Sequence, residues 1–122
     1  GMNVTIIGRS IHIGKALFSL LLHRNCTVTI CHSKTKDLKK HTKNADMVIT
    51  SVGKADFITQ DMVNKDVILV DVGFNYKDGH ICGDVSSDVK KYKYLTPVPG
   101  GVGQMTVYSI YENLIKAYKL NK

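Results

Sequence analysis

The sequence predicts a single α/β domain over residues 1–122, with a doubly wound, Rossmann-like parallel sheet and flanking helices. Four short runs rich in Val and Ile do not alternate with polar residues, which is typical of strands covered on both faces. Helical patterns separate these runs, and such alternation favours a parallel sheet with helical crossovers. A chain of 122 residues is long enough for one domain with its own core and too short for two of ordinary size.

The predicted strands are short and recur along the chain. They lie at residues 4–7, 28–31, 47–49 and 67–72, with a weaker fifth at 94–96. Between the first two strands, Ala16, Leu17, Leu20 and Leu21 recur at helical spacing, and Asn25 follows as a stop signal. We therefore expect a helix to connect the first and second strands.

Local patterns predict the remaining connections. Residues 35–42 favour a short basic helix, and a short turn or helix is expected before the fourth strand. The pair Asp78-Gly79 predicts the tight turn of a small hairpin that ends near Gly83, and a further helix is expected before the fifth strand. A long last helix is predicted by one apolar stripe at helical spacing, formed by Val107, Ile110, Tyr111, Leu114 and Tyr118.

The charge balance predicts an anionic partner, because 17 basic and 10 acidic residues give a formal net charge of +7. Nucleic acid is not favoured, since aromatic residues do not interleave with the basic ones and no reader motif is recognisable. No stretch approaches the roughly 20 apolar residues that cross a bilayer, and nothing resembles a signal peptide. We therefore expect a cytoplasmic protein without membrane contact, and we interpret most lysines as a solvated surface.

The cysteines and histidines predict neither a disulfide scaffold nor a metal site. Cys26, Cys31 and Cys82 contain no CxxC pair, and the five histidines show no metal-ligand spacing. Reduced and mostly buried thiols are the simplest interpretation of the three cysteines.

A glycine-bearing turn follows the first predicted strand directly. In a doubly wound sheet, the pyrophosphate of a dinucleotide lies here, against backbone N–H groups at a helix N-terminus. Gly8 permits the tight turn, Gly14 allows close helix–strand approach, and Arg9 and Ser10 lie between them. Ser10 replaces the middle glycine of the usual GxGxxG fingerprint, and the last spacing is one residue longer. The motif alone is weak evidence, but its position between a strand and a helix favours a nucleotide turn.

The end of the second strand favours NADP over NAD as the cofactor. An NAD-binding domain usually has an acidic residue here that holds the ribose 2′-hydroxyl, whereas this strand ends Cys31-His32-Ser33-Lys34. A carboxylate would repel a 2′-phosphate, while Arg9, Ser33 and Lys34 supply donors and positive charge. Ser33 is alternatively a helix N-cap, and His32 a packed or surface imidazole. Both alternatives are compatible with ligand contact.

The loop after the third strand contributes two further candidate residues. It brings Val52 and Gly53 to the carboxyl edge of the sheet, where ligands bind in this architecture, and we expect both to line the adenosine side. Asp71 ends a buried strand and Asp84 starts a turn. Hydrogen bonds to local backbone explain both carboxylates, so neither is interpreted as catalytic.

Six motifs run through nearly the whole chain. They are GRSIHIGK at 8–15, TVTICHSKT at 27–35, AD at 45–46, DVGFN at 71–75, GDV at 83–85 and TPVPGGVGQMT at 96–106. Together they resemble the C-terminal, NAD(P)-binding half of the bifunctional methylenetetrahydrofolate dehydrogenase/cyclohydrolase family. The resemblance implies a role in folate one-carbon metabolism. Family members oxidise 5,10-methylenetetrahydrofolate with NADP or NAD and then hydrolyse the methenyl product to 10-formyltetrahydrofolate.

The resemblance also implies which residues bind the cofactor. It places the cofactor turn on Gly8, Arg9 and Ser10. It places the 2′-phosphate contact on Ser33 and a backbone contact near the nicotinamide on Phe74. The family usually has Ile where Phe74 stands, and a main-chain contact survives that change.

A proline- and glycine-rich loop resembles the family segment that borders the nicotinamide and the folate ring. Pro97, Gly100 and Gly101 are its substrate-adjacent residues. Glycines let a backbone approach a flat ligand closely, and prolines hold a loop open without needing donors. Ala16 and Gln104 stand where the family usually has proline, which removes pre-organisation but no chemistry.

The resemblance implies that catalysis needs a second domain. In the family, an N-terminal domain supplies the catalytic lysine of a Tyr-x-x-x-Lys motif and most of the folate pocket, and 122 residues leave no room for it. We therefore expect no catalytic residue in this chain and no activity of this chain alone. Folate contact is expected through the missing domain, and homodimerisation through this one. The alternative function is a standalone nucleotide-binding or regulatory module without catalysis.

Overall fold

Seven strands and three α-helices lie within residues 1–121, the part of the chain that the computed structural model describes. The strands are β1 (Asn3–Ile7), β2 (Thr27–Cys31), β3 (Met47–Thr50), β4 (Ile68–Asp71), β5 (Asn75–Lys77), β6 (His80–Cys82) and β7 (Tyr94–Leu95). The helices are α1 (Ala16–His23), α2 (Leu38–Lys43) and α3 (Val102–Leu120). A π-helical turn at Ile11–Lys15 precedes α1, and a 3₁₀ turn at Gln60–Met62 precedes β4.

Five of the strands form one parallel sheet, which confirms the predicted Rossmann-like α/β fold. The strand order is β2-β1-β3-β4-β7, and every neighbouring pair is parallel. β5 and β6 pair antiparallel across Asp78 and Gly79, whose φ angles are +50° and +80°. Two consecutive positive φ angles are typical of a two-residue hairpin turn, so the predicted hairpin is present.

The helix predicted between the hairpin and the last strand of the sheet is absent, and that prediction was wrong. Residues 83–93 instead form turns, bends and irregular backbone. The Gln60 side-chain oxygen accepts hydrogen bonds from the N–H groups of Lys90 and Lys91, both at 2.8 Å. These long-range bonds satisfy backbone groups that a helix would have paired within itself.

The two faces of the sheet are covered by different helices. On one face, Ile6 belongs to an apolar cluster against which Leu17 and Leu21 of α1 pack. On the other face, Ile7 belongs to a second cluster, against which Leu38 of α2 packs. Adjacent strand residues point to opposite faces, so a sheet covered on both sides requires the continuous apolar runs seen in the sequence.

The strand order creates a switch point beside β1. The chain runs from β1 to β2 on one side and later to β3 on the other. The carboxyl ends of the three strands are level, because Ile7 pairs in register with both Cys31 and Thr50. In open α/β sheets, ligands bind in the crevice outside such an end. The fold therefore places a candidate site between the segments that follow β1, β2 and β3.

Helix α3 carries the predicted apolar stripe on the surface. All residues from 103 to 120 are exposed, and the exposed fractions of Ile110, Tyr111 and Leu114 are 61%, 63% and 64%. The helix does not contribute to either apolar cluster of the core. Among residues 1–121, no helix has both the length and the apolar composition needed to cross a membrane.

Candidate functional site

Two cavities open at the carboxyl edge of the sheet. The first, of about 390 Å³, is named the β1–β3 cavity and is lined by Ile7, Gly8, Arg9, His32, Ser33, Leu38, Ser51, Val52, Lys54 and Phe57. The second, of about 400 Å³, is named the β4 cavity and is lined by residues 71–74, residues 97–104 and Thr106. Both volumes are in the range of small-molecule sites, roughly 300 to 1,000 Å³.

The turn after β1 forms one wall of the β1–β3 cavity. Gly8 has a φ of +125°, and its N–H donates a hydrogen bond to the Cys31 carbonyl oxygen at 2.9 Å. A Cβ at this position would lie 2.7 Å from the Ser51 carbonyl oxygen, which is closer than real Cβ atoms approach. A φ as large as +125° is readily adopted only by glycine. The local backbone therefore requires the glycine that the sequence predicts for a nucleotide turn.

A π-helical turn accommodates the extra residue between Gly8 and Gly14. The Lys15 N–H donates to the Ser10 carbonyl oxygen, five residues earlier, at 2.9 Å. Such a turn takes in one residue more than an α-helical turn. The Ser10 side chain accepts a hydrogen bond from the Ile13 N–H at 3.2 Å and so caps the turn. Ser10 itself lies outside the lining of the cavity.

The polar lining of the β1–β3 cavity is cationic. Arg9 and Lys54 line it together with His32, and within residues 1–121 neither Asp nor Glu belongs to the lining. The imidazole of His32 is oriented by a hydrogen bond that its Nδ1 accepts from the Lys34 N–H at 3.1 Å. An anion in this cavity would meet positive charge without a repelling carboxylate.

Ser33 lies in the lining of this cavity and does not cap α2. That helix begins at Leu38, and the Asp37 side chain caps it by accepting a hydrogen bond from the Lys40 N–H at 3.3 Å. The N-cap interpretation of Ser33 is therefore wrong. Like Arg9, it lines the cavity, which is compatible with a ligand contact.

The loop after β3 supplies the opposite wall of the β1–β3 cavity. Val52 lines the cavity, whereas Gly53, with a φ of +69°, turns the chain between Val52 and Lys54 outside the lining. Lys54 and Phe57 were not predicted from the sequence. The Lys54 Nζ lies 5.8 Å from the centroid of the Phe57 ring, within cation–π range. The available signal was the position of Lys54 directly after the predicted ligand loop.

Four predicted residues meet in the lining of the β4 cavity, namely Phe74, Pro97, Gly100 and Gly101. The Phe74 side chain is 72% exposed, so its aromatic ring is open to solvent at the cavity. The two walls are linked by a hydrogen bond from the Asp71 N–H to the Thr96 Oγ1 at 2.8 Å. The bond between Val98 and Pro99 is cis. Segments that are distant in the chain thus form one cavity at the end of β4.

Two carboxylates are buried beside these loops. Asp71 is 3% exposed and Asp84 is fully buried. Burial raises the pKa of Asp71 above its usual value of 3.8, while hydrogen bonds from the N–H groups of Asp84, Val85 and Gly73 act in the opposite direction. Within the described residues 1–121, no group of three or more His, Cys, Asp or Glu is arranged to hold a metal ion.

A parallel sheet with a glycine turn after its first strand and a cationic cavity at its switch point defines a Rossmann-like dinucleotide-binding domain. Comparison with protein families agrees, because the sequence profile of "Tetrahydrofolate dehydrogenase/cyclohydrolase, NAD(P)-binding domain" matches residues 1–122. The chain therefore belongs to the tetrahydrofolate dehydrogenase/cyclohydrolase family and corresponds to its NAD(P)-binding domain. The resemblance inferred from the six motifs is confirmed.

Similar curated proteins carry the name bifunctional protein FolD. The chain is 48% identical over 122 residues to the bifunctional protein FolD of Methanosphaerula palustris, with 98% of this chain and 44% of that protein covered. It is 50% identical over 121 residues to the bifunctional protein FolD of Dictyoglomus turgidum, with 98% and 43% covered. The chain thus spans less than half the length of these relatives.

Solved structures share the fold closely. The bifunctional FolD methylenetetrahydrofolate dehydrogenase/cyclohydrolase of Campylobacter jejuni is 43% identical, with a TM-score of 0.95. The match covers 100% of this chain and 44% of the Campylobacter jejuni chain. The Trypanosoma brucei enzyme was solved with NADP cofactor and an inhibitor. It is 30% identical, with a TM-score of 0.90, and the match covers 99% of this chain and 44% of the Trypanosoma brucei chain.

Proposed function

We propose that this chain binds NADP as the cofactor domain of a methylenetetrahydrofolate dehydrogenase/cyclohydrolase. The whole protein would oxidise 5,10-methylenetetrahydrofolate and then hydrolyse the methenyl product to 10-formyltetrahydrofolate. The observation that carries this proposal is the β1–β3 cavity, which joins a glycine turn to a cationic lining at the switch point of a family-matched domain.

The preference for NADP over NAD rests on the donors of the β1–β3 cavity. Arg9 and Ser33 lie together in the lining, and Lys54 adds a second cation from the opposite wall. These groups suit a 2′-phosphate, because charge-assisted hydrogen bonds to phosphate need cationic or hydroxyl donors. A ribose 2′-hydroxyl would favour a carboxylate, and within residues 1–121 the lining contains none.

Each predicted residue has a distinct part in binding the adenosine half of the cofactor. Gly8 permits the tight turn, packed against the Ser51 carbonyl oxygen, beside which the pyrophosphate would bind. Arg9 and Ser33 would hold the 2′-phosphate. Ser10, which lies outside the cavity lining, would act through the turn that it caps. The loop at Val52 and Gly53 would form the wall of the adenosine pocket.

The nicotinamide half would extend to the β4 cavity. There the backbone at Phe74 would orient the ring, and the loop with Pro97, Gly100 and Gly101 would border both ring and folate. When bound, NADP supplies the hydride acceptor that these residues only position. The chain's own residues therefore bind and orient, and we assign no catalytic residue among them.

We also propose that a folate-binding domain with the catalytic lysine completes the enzyme. Relatives of more than twice this length support this, since the chain covers 44% of the Methanosphaerula palustris protein. The exposed apolar stripe of α3 also supports it, because large exposed apolar patches mark interaction sites. Without that domain, we expect no turnover of methylenetetrahydrofolate by residues 1–122.

Calorimetric titration of the chain with NADP and NAD tests the cofactor proposal. We expect Arg9→Ala and Ser33→Ala each to weaken NADP binding by about 10-fold or more, since a hydrogen bond to a charged group contributes about 1.5 to 3 kcal/mol. NAD binding should change little in both variants. Lys36→Ala is the control, because Lys36 is exposed and lies outside the lining. Equal binding of NADP and NAD by the unchanged chain would contradict the 2′-phosphate assignment.

The activity proposal needs a separate assay. The chain alone is expected to show no NADP reduction with methylenetetrahydrofolate, although it binds NADP. Turnover by the isolated chain would contradict the placement of the catalytic lysine in another domain. Absence of any dinucleotide binding would contradict the cofactor proposal.

A further inference from the structure

The Asp84 carboxylate is a fully buried acceptor of five hydrogen bonds. Its Oδ2 accepts from the Val52 N–H at 2.7 Å, the Gly53 N–H at 3.3 Å and the Thr50 Oγ1 at 3.1 Å. Its Oδ1 accepts from the Lys54 N–H at 2.9 Å. Three consecutive backbone amides of one loop therefore converge on a single carboxylate.

These bonds are not local caps. Asp84 is 30 to 34 residues away in sequence from its partners at 50–54, so the bonds join two distant loops. Capping of nearby backbone, which the sequence suggested for Asp84, accounts for none of them. The loop that they hold contributes Val52 and Lys54 to the lining of the β1–β3 cavity.

Asp71 anchors Asp84 to the sheet. The Asp84 N–H donates to the Asp71 Oδ1 at 2.9 Å, and the Val85 N–H donates to the Asp71 Oδ2 at 2.9 Å. Because Asp71 is the last residue of β4, the position of Asp84 is set by the edge of the sheet. The Asp84 Oδ1 also accepts from the Asn75 Nδ2 at 3.0 Å, next to the segment that lines the β4 cavity.

We propose that Asp84 is a positioning residue for cofactor binding, because its carboxylate holds the amides of Val52, Gly53 and Lys54 and so fixes one wall of the β1–β3 cavity. Asp84 itself belongs to neither cavity lining and acts through the loop that it holds. This inference rests on the proposed NADP site. It adds to that site a buried residue outside the cavity lining, which fixes the conformation of a loop that lines the cavity.

Hydrogen exchange of the unchanged chain gives the first test. Residues 52–54 are exposed, so their amides would exchange quickly if the loop were free. Bonds to a buried carboxylate predict protection of the Val52 and Lys54 amides by about 100-fold or more relative to an unstructured peptide. Exchange of these two amides at the unstructured rate would overturn the proposal, whatever any variant does.

The second test is Asp84→Asn, which keeps the shape of the side chain but replaces one acceptor oxygen by an NH₂ donor. In either orientation that NH₂ faces at least two donors, since Lys54 and Asn75 donate to one oxygen and Val52 and Gly53 to the other. We expect faster exchange of the loop amides and an increase of about 10-fold in the dissociation constant for NADP.

Val67→Ala is the control for a general loss of stability. Val67 is fully buried, and it lies outside both cavity linings. We expect it to lower stability and to leave NADP binding within twofold, measured where each variant is folded by circular dichroism. Unchanged NADP binding in Asp84→Asn, or equal weakening in Val67→Ala, would overturn the positioning role alone. No NADP binding by the unchanged chain would refute the proposed function, and this role with it.

Discussion

Replacing Gly14 with alanine tests the close packing of the turn after β1. Gly14 is buried in the π-helical turn, and a Cβ there would collide with the Gly8 carbonyl oxygen. The Gly8 carbonyl carbon and the Arg9 Cα would lie only 2.8 and 2.9 Å from it. All three atoms belong to the backbone, so no side chain can rotate away. The turn itself must move, together with the cavity wall that it forms.

The expected loss of stability follows from these contacts. Overpacking of a close-packed site costs about 1 to 3 kcal/mol, and a clash with fixed backbone places this one near 3 kcal/mol. Alanine is favoured over glycine within a helix by about 1 kcal/mol, which offsets part of the cost. The net loss is therefore about 2 kcal/mol. For a chain of 122 residues, this corresponds to a fall in Tm of about 8 °C.

Thermal unfolding by circular dichroism measures this loss, and Gly103→Ala is the matched control. Gly103 lies in the first turn of α3, and an added Cβ there meets no atom within 4 Å. The control should therefore unfold at the same temperature as the unchanged chain or slightly higher. Gly14→Ala should also bind NADP more weakly. A Tm for Gly14→Ala within 2 °C of the control's would refute the reasoning.

Three further predictions concern the core, a surface ion pair and the cavity. Ile6→Ala should cost about 3 to 4 kcal/mol in urea unfolding, because Ile6 is fully buried in the sheet; a cost under about 1.5 kcal/mol would contradict that packing. Hydrogen bonds from Lys39 and, to a smaller extent, Thr59 lower the pKa of Asp61 from 3.8 to about 2. The ionised Asp61 therefore adds stability above about pH 4 that is lost as the pH falls through 2. The free energy of unfolding of Asp61→Asn should be lower than that of the unchanged chain at pH 6 and equal to it near pH 1.5. A difference in unfolding free energy that does not change with pH would exclude this linkage. Lys54→Met keeps the aliphatic part of the side chain near Phe57 and removes the charge. NADP affinity should therefore fall several-fold at low salt and less at high salt. Lys54→Arg keeps the charge and should bind NADP as tightly as the unchanged chain.

The strands and the hairpin follow from local sequence patterns. Continuous apolar runs predict strands covered on both faces, and four such runs form the first four strands of the sheet with boundary shifts of at most one residue at either end. Asp78-Gly79 predicts a hairpin, since both positions adopt positive φ at little cost in these residue types. The turn at Gly8 is predicted for the same reason. Each prediction depends on conformational preferences of residues that are close together in the chain.

The sequence also predicts most of one cavity. Gly8, Arg9, Ser33 and Val52 lie together in the β1–β3 lining because the carboxyl ends of neighbouring parallel strands meet at one edge. Lys54 escaped prediction because its position directly after the predicted ligand loop does not by itself show whether its side chain lines the cavity or extends into solvent. The expected helix before β7 failed because Gln60, which is distant in sequence, supplies the hydrogen bonds at Lys90 and Lys91.

By itself, then, the sequence determined the fold class, the family and the glycine turn, because these depend on periodicity and on motifs of adjacent residues. Only the tertiary structure decided the hydrogen bonds of Asp84, whose partners at 50–54 and at Asn75 are brought to it by the fold. It also decided that α3 leaves Ile110 and Leu114 exposed, although their spacing predicts an apolar face. Periodicity shows which side chains share a face, but only the packed chain shows what that face contacts.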